Sequence, residues 1–207
     1  MSELDAALRG GLPNRPLPDL AAAAAEAGLL DVGYATLDSP VGRLLVAGTP
    51  QGVVRVCYVD DERQLEAALG RLAERVSPRI LSAPRRLDQA RRELEQYFAG
   101  RRRQFEVALD WRLTRGFGRR VLRAAARIPF GSVSTYGRVA AAAGSPRGAR
   151  AAGNALGANP LPIIVPCHRV LHAGGGLGGY TGGLDRKRLL LALEQGGDIG
   201  LSVDTTS

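Results

Sequence analysis

Ile164-Val165-Pro166-Cys167-His168-Arg169-Val170 closes an apolar run in a chain of 207 residues whose other cysteine is Cys57. A thiol followed at once by an imidazole, on a turn bounded by proline, suggests a nucleophile held beside its base. Thiolate is the reactive form of cysteine, and a neighbouring His or cation raises its population near neutral pH. A Cys-His pair by itself says little, because side chains at i and i+1 usually point apart. A buried inert thiol and a structural histidine are the plain alternatives. The flanks sharpen the reading. Asn159-Pro160 precedes the run, Tyr180-Thr181-Gly182-Gly183 follows it, and Leu189-Leu190-Leu191-Ala192-Leu193-Glu194 ends the block.

Upstream of this block the periodicity is helical. Phe117, Val121, Leu122 and Ala125 share one face of a helix that ends near Ile128-Pro129-Phe130-Gly131. Ser134-Thr135-Tyr136 caps a second helix over 137–143, stopped by Gly144. Ser145-Pro146 opens a third, through Arg147, Arg150 and Asn154 to Leu156, broken by Gly157 and Asn159-Pro160. Two short helices joined by a glycine-containing turn fit a helix-turn-helix as well as an ordinary helical hairpin. Small residues in the later helix (Gly148, Ala149, Ala151, Ala152, Gly153) would let its backbone approach a nucleic-acid groove.

The first half has a different grammar. Residues 1–31 combine Pro13, Pro16 and Pro18 with an Ala-rich stretch over 21–25, and read as an extension holding one short helix. From Val32 the pattern turns to strands. Val32-Gly33-Tyr34-Ala35-Thr36-Leu37 and Gly42-Arg43-Leu44-Leu45-Val46-Ala47 flank Ser39-Pro40 as a hairpin. Gly52-Val53-Val54-Arg55-Val56-Cys57-Tyr58-Val59 follows as a third strand, filled by Cys57 as a small apolar residue. Leu65, Leu69 and Leu72 mark one amphipathic helix, and Leu87, Ala90, Leu94, Tyr97 and Phe98 a second. Gly100-Arg101-Arg102-Arg103 reads as a solvated turn, and Phe105-Glu106-Val107-Ala108-Leu109 as a returning strand. Four segments follow: extension 1–31, an α/β unit 32–110 built on a small antiparallel sheet, a mainly helical unit 111–198, and tail 199–207.

The net charge of +8 is unevenly placed. Residues 1–110 carry 15 Arg against 16 acids, whereas residues 111–207 carry 12 Arg and Lys187 against four acids. A GC-rich genome accounts for Arg over Lys, but not for the missing acids. A basic second half beside a neutral first half is the footprint of a nucleic-acid-binding module. No run approaches the roughly 20 apolar residues that span a bilayer, and Glu3 and Asp5 stand where a signal peptide would be basic. Two cysteines support no disulfide framework. The expectation is a reduced, cytoplasmic protein with no membrane association.

The block from about Phe117 to Glu194 closely resembles the active-site region of the O6-alkylguanine-DNA alkyltransferases, single-use DNA repair proteins. The first half resembles their N-terminal domain in organisation, which implies a ribonuclease H-like α/β domain ahead of the helix-turn-helix domain. The resemblance implies that Cys167 accepts the alkyl group and that His168 takes the thiol proton through a water. It implies that Glu194 orients that imidazole and that Tyr136 supplies a proton as guanine leaves. Arg150 would enter the base stack where the target nucleotide is extruded, a step costing a few kcal/mol. Asn159 would brace the turn, and Arg147, Ala149 and Gly153 would lie against DNA. Val170, Gly178, Tyr180 and Thr181 would form the pocket, with Thr181 in place of a family Ser. Lys187 reads equally as the family's lysine near the active site or as a solvated surface residue. The implied partner is duplex DNA carrying O6-alkylguanine, with O4-alkylthymine left open, bound by a protein that is monomeric off DNA.

Zinc-binding members use Cys and His ligands in the N-terminal domain. The first histidine here is His168, so neither metal nor cofactor is expected. Leu193 stands where the family normally has His, and Leu189 where many members have Trp. Two other readings compete. A non-enzymatic lesion binder of this fold has its Cys replaced, which Cys167 argues against. A cysteine hydrolase would draw Cys and His from distant positions, and no such signature is present.

Overall fold

The computed structural model describes residues 20–196. Pro13, Pro16 and Pro18 of the extension and the whole of the 199–207 segment lie outside the described residues. The Ala-rich stretch forms the helix Leu20–Glu26.

The three strands expected from alternation are present as β1 (Val32–Leu37), β2 (Leu44–Thr49) and β3 (Gly52–Tyr58). They pair antiparallel in sequence order. A fourth strand, β4 (Ile80–Ser82), adds parallel to β1, so the sheet is mixed, in the order β3-β2-β1-β4. Three residues are too short for a periodicity signal, which is why β4 is invisible in the sequence. The returning strand expected at Phe105–Leu109 is instead an extended segment with a single bridge. Val53 and Asp110 donate backbone bonds to Ala108 and Val53, both at 2.8 Å. That segment crosses directly over Gly52, whose φ of 135° and lack of a side chain admit the Ala108 carbonyl.

Side chains alternate across the sheet, and both faces are covered. Leu45, Ala47 and Val54 meet Leu65, Ala68 and Leu72 of helix Glu62–Arg75. That helix is capped by Asp61, whose carboxylate accepts from the Gln64 amide at 2.7 Å. The opposite face (Leu44, Val46, Val53, Val56) packs on Leu94, Tyr97 and Phe98 of helix Asp88–Phe98 and continues without a break into the second half. Val121, Leu122, Val139, Leu156, Ile163 and Leu190 belong to the same core. The helix Asp88–Phe98 is therefore a wall shared by both units.

The second half begins with helix Gly116–Ala125, followed by Tyr136–Ala142 and Ala149–Gly157. Thr135 caps the middle helix by accepting from the Arg138 amide at 3.2 Å. The last of the three starts at Ala149, not at Ser145-Pro146 as the sequence suggests, and its predecessor ends at Ala142. The turn between them is correspondingly longer. A two-residue parallel ladder, Ser134–Thr135 against Val170–Leu171, ties the start of the middle helix to the exit of the Cys167 turn. Helix Leu184–Glu194 closes the domain. No helix among the described residues is long and apolar enough to cross a membrane.

Candidate active site

The segment entering the Cys167 turn is conformationally demanding. Ile163 is fully buried with φ at +73°, a left-handed conformation that β-branched side chains rarely adopt. Asn159 holds the turn closed from inside. Its Oδ1 accepts from the Leu161 amide at 3.0 Å, and its Nδ2 donates to the Val165 carbonyl at 2.9 Å and to Cys167 Sγ at 3.2 Å. The backbone of Pro160 is pinned to the edge of the first-half sheet, where its carbonyl accepts from the Val56 amide at 2.8 Å. Cys167, His168 and Arg169 then make one 3-10 turn, all three buried.

Behind the thiol lies a charged cluster. His168 Nε2 stands 2.9 Å from Glu194 Oε1. Arg169 grips the same carboxylate, with Nε at 2.8 Å from Oε2 and Nη2 at 2.8 Å from Oε1, while its Nη1 donates to the Ile128 carbonyl at 2.6 Å. The Tyr97 hydroxyl donates to Oε1 at 2.7 Å, and the Gly131 amide to Oε2 at 3.2 Å. Burial alone would raise the Glu194 pKa, but the bonds from His168 and Arg169 outweigh it and hold the carboxyl down at about 2. With an ionised acceptor on Nε2, the proton of neutral His168 sits there. That leaves Nδ1, buried and without a hydrogen-bond partner among the described residues, as the free lone pair. Burial pushes the His168 pKa down, against the pull of Glu194, so the imidazole is neutral and able to accept a proton.

Cys167 itself is held as a thiol. Burial pushes its pKa up to about 11, while the Asn159 amide and the Lys187 charge pull it back. Lys187, one of the two roles left open by sequence, is not solvated. It is fully buried, and its ammonium donates to the Val170 carbonyl at 2.7 Å and to the Leu177 carbonyl. Loss of hydration lowers its pKa to about 8. A thiolate formed at Cys167 would thus meet a cation and an amide donor, with a neutral imidazole next in the chain.

In front of the thiol is a cavity of about 610 Å³. Tyr136, Ala149, Arg150, Gly153, Tyr180 and Thr181 line it together with Cys167, whereas Val170, Gly178 and Lys187, expected in the pocket, are not among its lining residues. Tyr136 packs beside Gly153 and against Gly178, whose φ of +67° and bare Cα leave the phenol its place. Burial raises the Tyr136 pKa, keeping it protonated. Thr181 donates to the Gly157 carbonyl at 2.7 Å, tying the pocket loop to the end of helix Ala149–Gly157. Arg150 is exposed at the mouth, and Arg147 is exposed ahead of that helix, outside the cavity lining. His168, Glu194, Asn159, Val170 and Lys187 stand behind the thiol instead of facing the cavity.

Sequence reasoning missed four residues here. Arg169 sat inside the quoted heptapeptide with nothing to indicate that it turns back to Glu194. Tyr97 read only as a packing position. Tyr58 donates to or accepts from Tyr180 across the interface, oxygen to oxygen 2.8 Å, with the Arg186 guanidinium 4.3 Å above its ring. His172 lines the cavity with its ring 5.1 Å from that of Tyr136. No group of three or more His, Cys, Asp or Glu among the described residues could hold a metal ion.

Comparison with known proteins gives this geometry a family. Residues 32–111 match the model described as the 6-O-methylguanine DNA methyltransferase ribonuclease-like domain, and residues 116–196 match its DNA-binding domain. A methylated-DNA–protein-cysteine methyltransferase of Mycolicibacterium paratuberculosis is 43% identical over 164 residues, 79% of this chain and 93% of the relative. One from Methanosarcina acetivorans is 39% identical over 161 residues, 78% of this chain and 97% of the relative. A crystal structure of Mycobacterium tuberculosis OGT in complex with DNA aligns with a TM-score of 0.67 at 39% identity, covering 79% of this chain and 93% of that one. Both halves of the chain find their counterparts in one kind of protein, in the same order and over nearly its whole length, and the chain belongs to the 6-O-methylguanine DNA methyltransferase family.

Proposed function

We propose that the protein repairs DNA by direct reversal, taking the alkyl group from guanine O6 onto Cys167 once and irreversibly. The supporting observation is the placing of Cys167. Its sulfur lies between a cavity able to admit a base and a sealed cluster in which neutral His168 can take its proton. The thiolate attacks the alkyl carbon, an S–C bond forms and the C–O6 bond breaks. Guanine departs with a proton delivered through Tyr136, balanced by the one Cys167 gave up. Lys187 and the Asn159 amide stabilise the thiolate before transfer. Nothing in the cluster can remove the resulting thioether, so each molecule acts once.

Helix Ala149–Gly157 lies against DNA in this reading. Gly153 and Ala149 permit close approach, Arg147 contacts the backbone, and Arg150 occupies the space of the extruded nucleotide. The partner is duplex DNA bearing O6-alkylguanine, met by a monomer in the cytoplasm. Contact is mainly with phosphates, so affinity falls steeply with salt. The test mixes the protein with a duplex carrying one O6-methylguanine and measures intact and peptide mass. One methyl on the Cys167 peptide, saturating at one equivalent, is expected. Tight lesion-dependent binding without transfer would make it a sensor instead.

A further inference from the structure

We propose that Tyr97, a residue of the first-half helix Asp88–Phe98, is a positioning residue of the transfer relay: its hydroxyl shares Glu194 Oε1 with His168 and so sets how firmly the carboxylate holds the imidazole's proton. This rests on the alkyl-transfer reading above.

The geometry is specific. Tyr97 is fully buried, 97 positions from Glu194, and places its hydroxyl 2.7 Å from the same oxygen that faces His168 Nε2 at 2.9 Å. Its ring is fixed on three sides by Phe98, Phe105 and Phe130, with centroids 5.3, 5.4 and 6.0 Å away. Packing alone would be served by phenylalanine. The hydroxyl is the part that reaches the relay, and burial and the Glu194 charge keep it protonated as a donor.

Every donor on Oε1 draws off negative charge that would otherwise stabilise the imidazolium. Arg169 does this by charge, and Tyr97 by a neutral bond. The other ionisable groups facing this centre are Lys187 from helix Leu184–Glu194, Cys167 on the turn, Tyr180 (ring 6.4 Å from that of His168) and Tyr58 behind it. Removing the Tyr97 hydroxyl leaves all of these in place and frees one side of Oε1. His168 then keeps its proton to higher pH, and the acidic range in which it cannot act as a base widens. The first-half unit thereby takes part in the chemistry at a distance, beyond supporting the core.

The test is the pH profile of the transfer rate for Tyr97→Phe beside the wild type, with Leu72→Ala, in the separate core on the far face of the sheet, as a control that disturbs packing away from Tyr97. The acidic limb of Tyr97→Phe is expected to move up by about half a pH unit or more, whereas Leu72→Ala lowers Tm and leaves the limb in place. Coincident profiles for Tyr97→Phe and wild type would overturn the inference and reduce Tyr97 to a packing residue. A wild type that transfers nothing would sink the alkyl-transfer reading instead. The His168 ring titration followed by NMR then decides the Tyr97 coupling, since it needs no turnover: an upward shift in Tyr97→Phe supports it and none refutes it.

Discussion

The two sides of Cys167 are built by different means. The front, facing the cavity, is made by a short helix and a glycine-rich loop with Arg150 exposed at the rim. The back is sealed and made by contacts between distant parts of the chain. Glu194 is reached from His168 and Arg169 across 26 and 25 positions, and from Tyr97 across 97. The front can adjust to a partner only at its exposed side chains, such as Arg150, because helix Ala149–Gly157 itself packs on the two helices before it. The back cannot, since a buried carboxylate that loses a partner pays heavily in desolvation. Reactivity is thus set by the rigid side and access by the open one.

The sharpest way to break this division is at the sulfur, which both sides share. Cys167→Ser is expected to abolish methyl transfer entirely while leaving lesion-containing DNA bound, measured by peptide mass and by gel shift. Loss of binding together with transfer would mean that the thiol also shapes the front.

Glu194 tests the back. Its carboxyl titrates at about 2 in the folded protein, below its ordinary value of 4.5. A depressed carboxyl stabilises the fold above its unfolded value, and that stabilisation drains away as pH falls from about 4.5 through 2, on the order of 3 kcal/mol in all. Urea unfolding of the wild type should show this loss. Glu194→Gln should already lack the stabilisation at pH 7, where removing one partner of a buried pair costs about 3–5 kcal/mol, and its stability should be flatter across the acid range.

Arg150→Ala tests the front. Transfer from duplex substrate should slow by roughly tenfold to a hundredfold, part of the few kcal/mol that extruding a base costs, with Tm unchanged. A single-stranded substrate should rescue much of the rate. A matching drop in Tm would show that Arg150 belongs to the packed side after all.

Tyr58→Phe gives the smallest effect and probes the border. It deletes the hydroxyl bond to Tyr180, worth about 1 kcal/mol, and should alter the apparent affinity for the substrate more than the maximal transfer rate. The reverse pattern would assign Tyr58 to the relay.

Much of the front could be read from sequence, because its signals are local. Thr135 as a cap, the small residues of helix Ala149–Gly157, and Asn159-Pro160 as a break are properties of consecutive residues. The three-strand meander was equally readable from alternation, whereas β4 and the extended Phe105–Leu109 segment depend on what lies alongside them. The back could be assigned only by family resemblance, and then only for His168, Glu194 and Asn159. Arg169 stood in the heptapeptide with no sign of its partner, and Lys187 could have been solvated. Sequence alone determined the short helices, the three-strand meander and the uneven charge, since these follow from residue type and short-range spacing, whereas Cys167 as nucleophile and the helix-turn-helix rested on family resemblance. Tertiary structure alone decided that Arg169, Tyr97 and Glu194 meet behind His168, because burial and long-range packing choose the partners of a charge, and no local pattern encodes a contact across 97 positions.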